Sequence, residues 1–178
     1  MSIASGNDNA NKKYLKHQLV LLVVTVLGHG LKHTFNSAFF VLLPEIKSGL
    51  LLSNTQIGIL STFRGITGGL SNLPAGFLGD RFGDKRAAIL GLSIIFLGMF
   101  AFLLGIATTF WMAVIASCLY GIAITFWHPS AISSLSREFS DRRGFAIALH
   151  GTGGSVGETL GPVISGILIG LIGWRLIL

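Results

Sequence analysis

Thr25, His29, Lys32, His33 and Asn36 recur at intervals of three and four residues, so on a helix they share one face. Farther along, Arg64, His128 and Glu158 each stand in a run of apolar, small and hydroxyl residues. Three kinds of chemistry fit these residue types. Two imidazoles four residues apart, His29 and His33, present ligand nitrogens on one helical face, as a transition metal requires, although no third ligand is visibly in register. A carboxylate alternately exposed to water and buried, as Glu158 would be in a moving protein, can load and release a proton. It can equally serve as a fixed counter-charge or as a ligand. Lys32 and Arg64 outnumber Glu158 among these full charges, which tilts the reading toward an anionic partner. For Arg64 two readings stand, an ion pair with Glu158 and attraction of a substrate. His150 reads as an interfacial polar residue. No nucleophile with a base and an orienting partner stands out, which argues against an enzyme.

The surroundings of these residues are those of a membrane protein. Of the 178 residues, 51% are hydrophobic and 11% charged, with a mean hydropathy of +0.73. An ordinary globular domain carries roughly a quarter charged residues. The apolar residues come in blocks of about 20 or more, long enough to cross about 30 Å of hydrocarbon. Five spanning helices are expected, at about 18–43, 55–79, 87–107, 109–135 and 144–172, after a polar tail over 1–17 whose first 14 residues are expected to be disordered. Pro44 is expected to close the first helix, and Asn54 to cap the second. The third carries no charge, which suits lipid contact. At 1.5 Å rise per residue, His29, Lys32, Arg64 and Glu158 fall within about 8 Å of the bilayer centre, where a charge needs a cavity or a partner.

An excess of 13 Lys and Arg over 7 Asp and Glu raises the question of nucleic acid. Their placement excludes it. Nine of the basic residues lie at 12, 13, 16, 81, 85, 86, 137, 142 and 143, against Lys47 and Arg175 on the opposite side. Retained loops carry such a bias, so the N-terminus and both basic connectors are expected in the cytoplasm of a cell-membrane protein. The lone Cys118 lies in an apolar block and reads as a small packing residue.

Between the second and third helices stands GFLGDRFGDKR, residues 76–86. It resembles the signature loop of the major facilitator superfamily through Gly76, Leu78, Gly79, Asp80, Arg81, Gly83, Asp84, Lys85 and Arg86. In that family the loop is implicated in a latch between the two halves of a transporter, with the position of Asp80 at its centre. Residues 157–166 resemble the family's antiporter signature of helix 5 through Gly157, Gly161, Pro162, Ser165 and Gly166. Independently, Gly153, Gly157, Gly161 and Ser165 recur every four residues, a small-residue stripe that lets another helix approach closely. Pro162 is expected to kink that helix. The GTGG run lacks the third glycine and the preceding strand that a dinucleotide cradle needs.

The region from FWHPS to ETLGP is similar to the fosmidomycin-resistance-type branch, as is the spacing of His29 and Pro44. This chain departs from the pattern at several points. Ser117 stands where many proton antiporters have an arginine, Lys32 and His33 stand where that branch has Asn and Asp, and Glu158 replaces a small residue. The resemblance implies an all-α integral membrane fold, five helices of a six-helix N-terminal half ending before helix 6, with a C-terminal half still to come. It also implies secondary-active transport of a small polar solute by alternating access, as proton-coupled antiport or efflux, with no cofactor. The partners expected are the lipid bilayer, a small-molecule substrate and that second half. An anion or transition-metal carrier of the same fold is the alternative, as is a membrane scaffold or receptor that does not transport.

Overall fold

The structure is a computed structural model that describes residues 3–178; the side chains of residues 3–8, 10, 11 and 84 lie outside the description, Asp84 of the signature loop among them. Six α-helices follow in order: α1 Ile3–Gly49, α2 Asn54–Leu70, α3 Asn72–Arg81, α4 Arg86–Gly105, α5 Phe110–Glu138 and α6 Arg143–Ile172. Short 3-10 turns at Gly83–Lys85, Ser140–Arg142 and Trp174–Leu176 follow α3, α5 and α6. Among the described residues, four helices are long and apolar enough to cross a membrane: α1 from Lys12, α4, α5, and α6 together with the Ser140–Arg142 turn before it.

The second expected span is made of α2 and α3. Pro74 lies in the first turn of α3, and lacking an N–H it leaves the Leu70 carbonyl without its helical donor, which interrupts the helix at Ser71. The ladder survives on either side, with the Ser71 N–H donating to Thr67 and the Ala75 N–H to Ser71. Ser53, not Asn54, caps α2. Its Oγ accepts from the Gln56 N–H at 3.2 Å while Gln56 Oε1 accepts from the Ser53 N–H at 2.9 Å, a complete capping box.

Two expectations for the first helix are corrected. Pro44 does not end it, because the ring removes a single internal bond while Leu42 and Ile46 on either side are fully buried in the core. The polar residues expected to be disordered are helical from Ile3, and Gln18 Nε2 donates to the Glu138 carbonyl at the end of α5 at 2.5 Å.

The helices pack in pairs, α1 on α6 and α5 between α4 and the α2–α3 pair. The main apolar core joins Phe39, Leu42 and Ile46 of α1 to Leu60 of α2, Leu97, Ala101 and Leu104 of α4, and Tyr120 of α5. Outward, α4 exposes Leu92, Ile95, Phe96, Met99 and Phe102, an apolar surface suited to lipid. A polar layer crosses the bundle just N-terminal to this core on α1, and it holds the residues singled out above.

Candidate functional site

Glycines set the register of this layer. A methyl group on Gly153 would meet the Val26 carbonyl, on Gly154 the His29 ring, on Gly157 the Gly30 backbone, and on Gly161 Ser37 Oγ and the Thr34 carbonyl. The small-residue stripe of α6 therefore lies on the strip of α1 formed by Val26, Gly30 and Thr34, beside the polar face, backbone against backbone. Gly166 does not take part, since a methyl group there would meet nothing within 4 Å. Pro162 is exposed within an unbroken α6.

Close approach of the two backbones brings four side chains together in two rungs. His29 Nδ1 lies 2.7 Å from the His150 carbonyl oxygen, and His150 Nδ1 lies 3.0 Å from that of Thr25. The two rings stack with centroids 3.9 Å apart and 6° between planes. One turn along, His33 Nδ1 meets Glu158 Oε1 at 2.7 Å. From α5 comes His128, its ring edge-on to His29 at 4.8 Å and 5.9 Å from His33. The Lys32 amine, 2% exposed, contacts His128 Nε2. The cluster is open at His33 and Glu158, whose side chains are 18% and 56% exposed. A carboxylate exposed at mid-helix in a membrane faces water or another polypeptide, since facing lipid is unfavourable by about 2.5–3.5 kcal/mol or more.

Arg64 forms a second centre. It is buried, and its guanidinium donates to Asn36 Oδ1 at 2.6 Å. The same group lies over the Phe39 ring at 4.2 Å, Tyr120 at 5.1 Å and Phe40 at 5.2 Å. Tyr120 is itself fixed by donation to the Phe35 carbonyl at 2.6 Å. A desolvated cation over an aromatic face gains about 2 kcal/mol, and a charge-assisted hydrogen bond about 1.5–3 kcal/mol. These contacts hold the charge without a carboxylate. The Arg64–Glu158 ion pair weighed from the sequence is not formed; Glu158 pairs with His33 instead. Among the described residues neither Arg64 nor Lys32 has a carboxylate partner.

His150 was the residue that sequence reading missed as part of the centre. The signal was present: His150, Gly154 and Glu158 lie four residues apart on α6, matching His29 and His33 on α1. Their pairing depends on a register that only the glycine contacts define. The signature loop lies apart from this layer. Asp80, Arg81 and Lys85 are exposed, with Phe82 beneath both cations at 5.9 and 5.8 Å. Arg86 is buried with its guanidinium against Gly83, while Gly76 has open space around it.

Known proteins agree with this architecture. The sequence profile of the Major Facilitator Superfamily matches residues 25–178. Curated relatives include the "Membrane sensor protein UhpC" of Escherichia coli (strain K12), 27% identical over 94% of this chain and 37% of its own length. The "Probable hexose phosphate transport protein" of Chlamydia trachomatis serovar D is 24% identical over 96% of this chain and 37% of its own. The "Fosmidomycin resistance protein" of Escherichia coli (strain K12) is 24% identical over 80% of this chain and 35% of its own. The sensor is thus more similar than the resistance protein, and the branch is not singled out. The chain spans well under half the length of these relatives. With its several apolar helices and the profile match across the whole polar layer, the chain is a multi-pass membrane protein and belongs to the Major Facilitator Superfamily.

Proposed function

We propose that this chain forms one half of a secondary-active transporter that moves a small anionic solute across the cell membrane by alternating access, in antiport with protons. The observation that carries the reading is the pair of buried cations, Lys32 and Arg64, neither with a carboxylate partner among the described residues. Such charges are unfavourable inside a membrane unless a ligand or a partner compensates them. Asn36 and the aromatic rings position Arg64 but carry no net negative charge, so an anionic solute supplies the neutralising one. A relative named for hexose phosphate transport is in keeping with this class of substrate.

Proton coupling is assigned to Glu158, whose exposed carboxylate meets His33 where a second helix bundle would close over it. The N-terminus and the two basic connectors lie in the cytoplasm in this reading, as the distribution of Lys and Arg requires. Asp80 belongs to the latch between the halves. The test is flux into proteoliposomes carrying the complete protein, with inorganic phosphate, a sugar phosphate and the uncharged sugar as probes. Uptake of an anion but not of the sugar, lost in Arg64→Gln, is expected. A Glu158→Gln variant that still responds to a pH gradient would remove the proton role.

A second reading is favoured by one observation, the similarity to a protein named as a membrane sensor. In it the same cations bind the anion without moving it. Saturable anion binding with no flux in the complete protein would decide for the sensor.

A further inference from the structure

We propose that His29, His33 and His128 form a binding site for a divalent transition-metal ion. Each ring offers one ligand nitrogen, and the three lie within 4.8 Å of one another. On a tetrahedral ion with metal–nitrogen bonds of about 2.0–2.1 Å, two ligand nitrogens sit roughly 3.3 Å apart. Binding therefore draws the rings inward by roughly an ångström, within reach of side-chain rotation.

The hydrogen bonds around the rings select the atoms that would do this. His33 directs Nδ1 at Glu158 Oε1, and His29 directs Nδ1 at the His150 carbonyl, both at 2.7 Å. With each Nδ1–H donating outward, each Nε2 keeps its lone pair for a metal. A carboxylate or carbonyl behind the ring is the usual support of a metal-bound histidine. His29 Nε2 is moreover buried without any hydrogen-bond partner, and its residue is 6% exposed. A buried, unpartnered acceptor on a ring 4.5 and 4.8 Å from two further imidazoles is costly unless something fills the gap.

Lys32 bears on the same space. Its amine lies against His128, so a metal ion enters only as that amine turns away. The amine and the metal are competing cations in one cage. Three imidazoles suit Zn²⁺, Co²⁺, Ni²⁺ or Cu²⁺ rather than Mg²⁺ or Ca²⁺, and leave a fourth position open. Access is through the face where His33 and Glu158 are exposed. Binding at this site does not depend on the transport reading.

The experiment is equilibrium dialysis of the full chain, purified in detergent without a polyhistidine tag and stripped by chelator, against Zn²⁺ or Co²⁺, with Mg²⁺ as control. One equivalent of Zn²⁺ or Co²⁺ is expected, and none of Mg²⁺. Separate His29→Ala, His33→Ala and His128→Ala variants are each expected to weaken binding by at least about tenfold, and Glu158→Gln by about 10–100-fold. Lys32→Met is expected to tighten it. His17→Ala, at the exposed N-terminal end of α1, is expected to change nothing. His33 is partly exposed, so its variant carries the test if a buried one fails to fold. The proposal is overturned by no stoichiometric binding in both the native chain and Lys32→Met, or by a full equivalent retained in the triple alanine variant.

Discussion

Replacing Gly157 by alanine adds one methyl group at the tightest point between α1 and α6. The new Cβ would stand 2.8 Å from the Gly30 carbonyl carbon and 3.0 Å from its Cα. The Gly30 carbonyl oxygen lies closer still, and since carbon atoms in contact prefer about 3.5–4.0 Å the two helices must part by roughly 1 Å or more. Neither neighbour is a side chain that can rotate aside. Overpacking costs typically 1–3 kcal/mol, and a methyl group pressed against rigid backbone puts this site in the upper part of that range, about 2–3 kcal/mol. Alanine regains at most about 1 kcal/mol through its helix propensity. The separation also strains the His33–Glu158 contact, one residue from the substitution, and the His29–His150 bond on the same interface. A net loss of about 1–2 kcal/mol follows, which for a chain of this size lowers Tm by about 2–8 °C.

Gly166 lies on the same helix with nothing within 4 Å of an added methyl group, and Gly151 likewise. Alanine at either position is expected to leave Tm unchanged or raise it slightly. Thermal unfolding of the three variants in one detergent is the assay. The close approach of α1 and α6 would be refuted if Gly157→Ala proved as stable as Gly166→Ala.

Three further outcomes follow from the same contacts. Ser53→Ala removes a complete capping box from α2 and is expected to cost about 0.5–2 kcal/mol, read as a lower unfolding midpoint. Tyr120→Phe removes the bond to the Phe35 carbonyl, which keeps its helical donor from Phe39, and is expected to cost about 0.5–1.5 kcal/mol in the same measurement. Arg64→Lys keeps the charge but loses the planar group that lies on Phe39 and Tyr120 while bonding Asn36. In the complete protein that variant is expected to weaken anion binding by about tenfold while leaving Mg²⁺-independent Zn²⁺ binding at the histidines unchanged.

Features that depend on local composition were legible in the chain alone. The span lengths follow from apolar runs, the connectors from clustered charge, and the glycine stripe from a four-residue repeat. Each is decided within a few turns of helix. Pro44 shows where this fails. A proline rule says that the helix ends, but burial of Leu42 and Ile46 keeps it intact. The second span shows the opposite case, since Pro74 interrupts a helix whose pattern reads as continuous. His150 and the true partner of Glu158 were hidden for a different reason. Both depend on how far α6 slides along α1, and that register is fixed by glycine contacts between distant parts of the chain. The setting of Arg64 needed three helices at once, with Asn36, Phe39 and Phe40 from α1 and Tyr120 from α5. The glycine stripe announces a close helix neighbour without naming it; the structure shows that the neighbour is α1.

The central claim is that the cations of this layer meet an anion arriving through water. Asn36, half-buried and bonded to Arg64, is the place to ask. With Cys118 replaced by serine, an Asn36→Cys variant of the complete protein in membranes would be treated with a membrane-impermeant thiol reagent. Labelling that is slowed by a sugar phosphate or inorganic phosphate, and not by the uncharged sugar, is the result expected. A cysteine that never labels, or labels at one rate whatever solute is present, would contradict it.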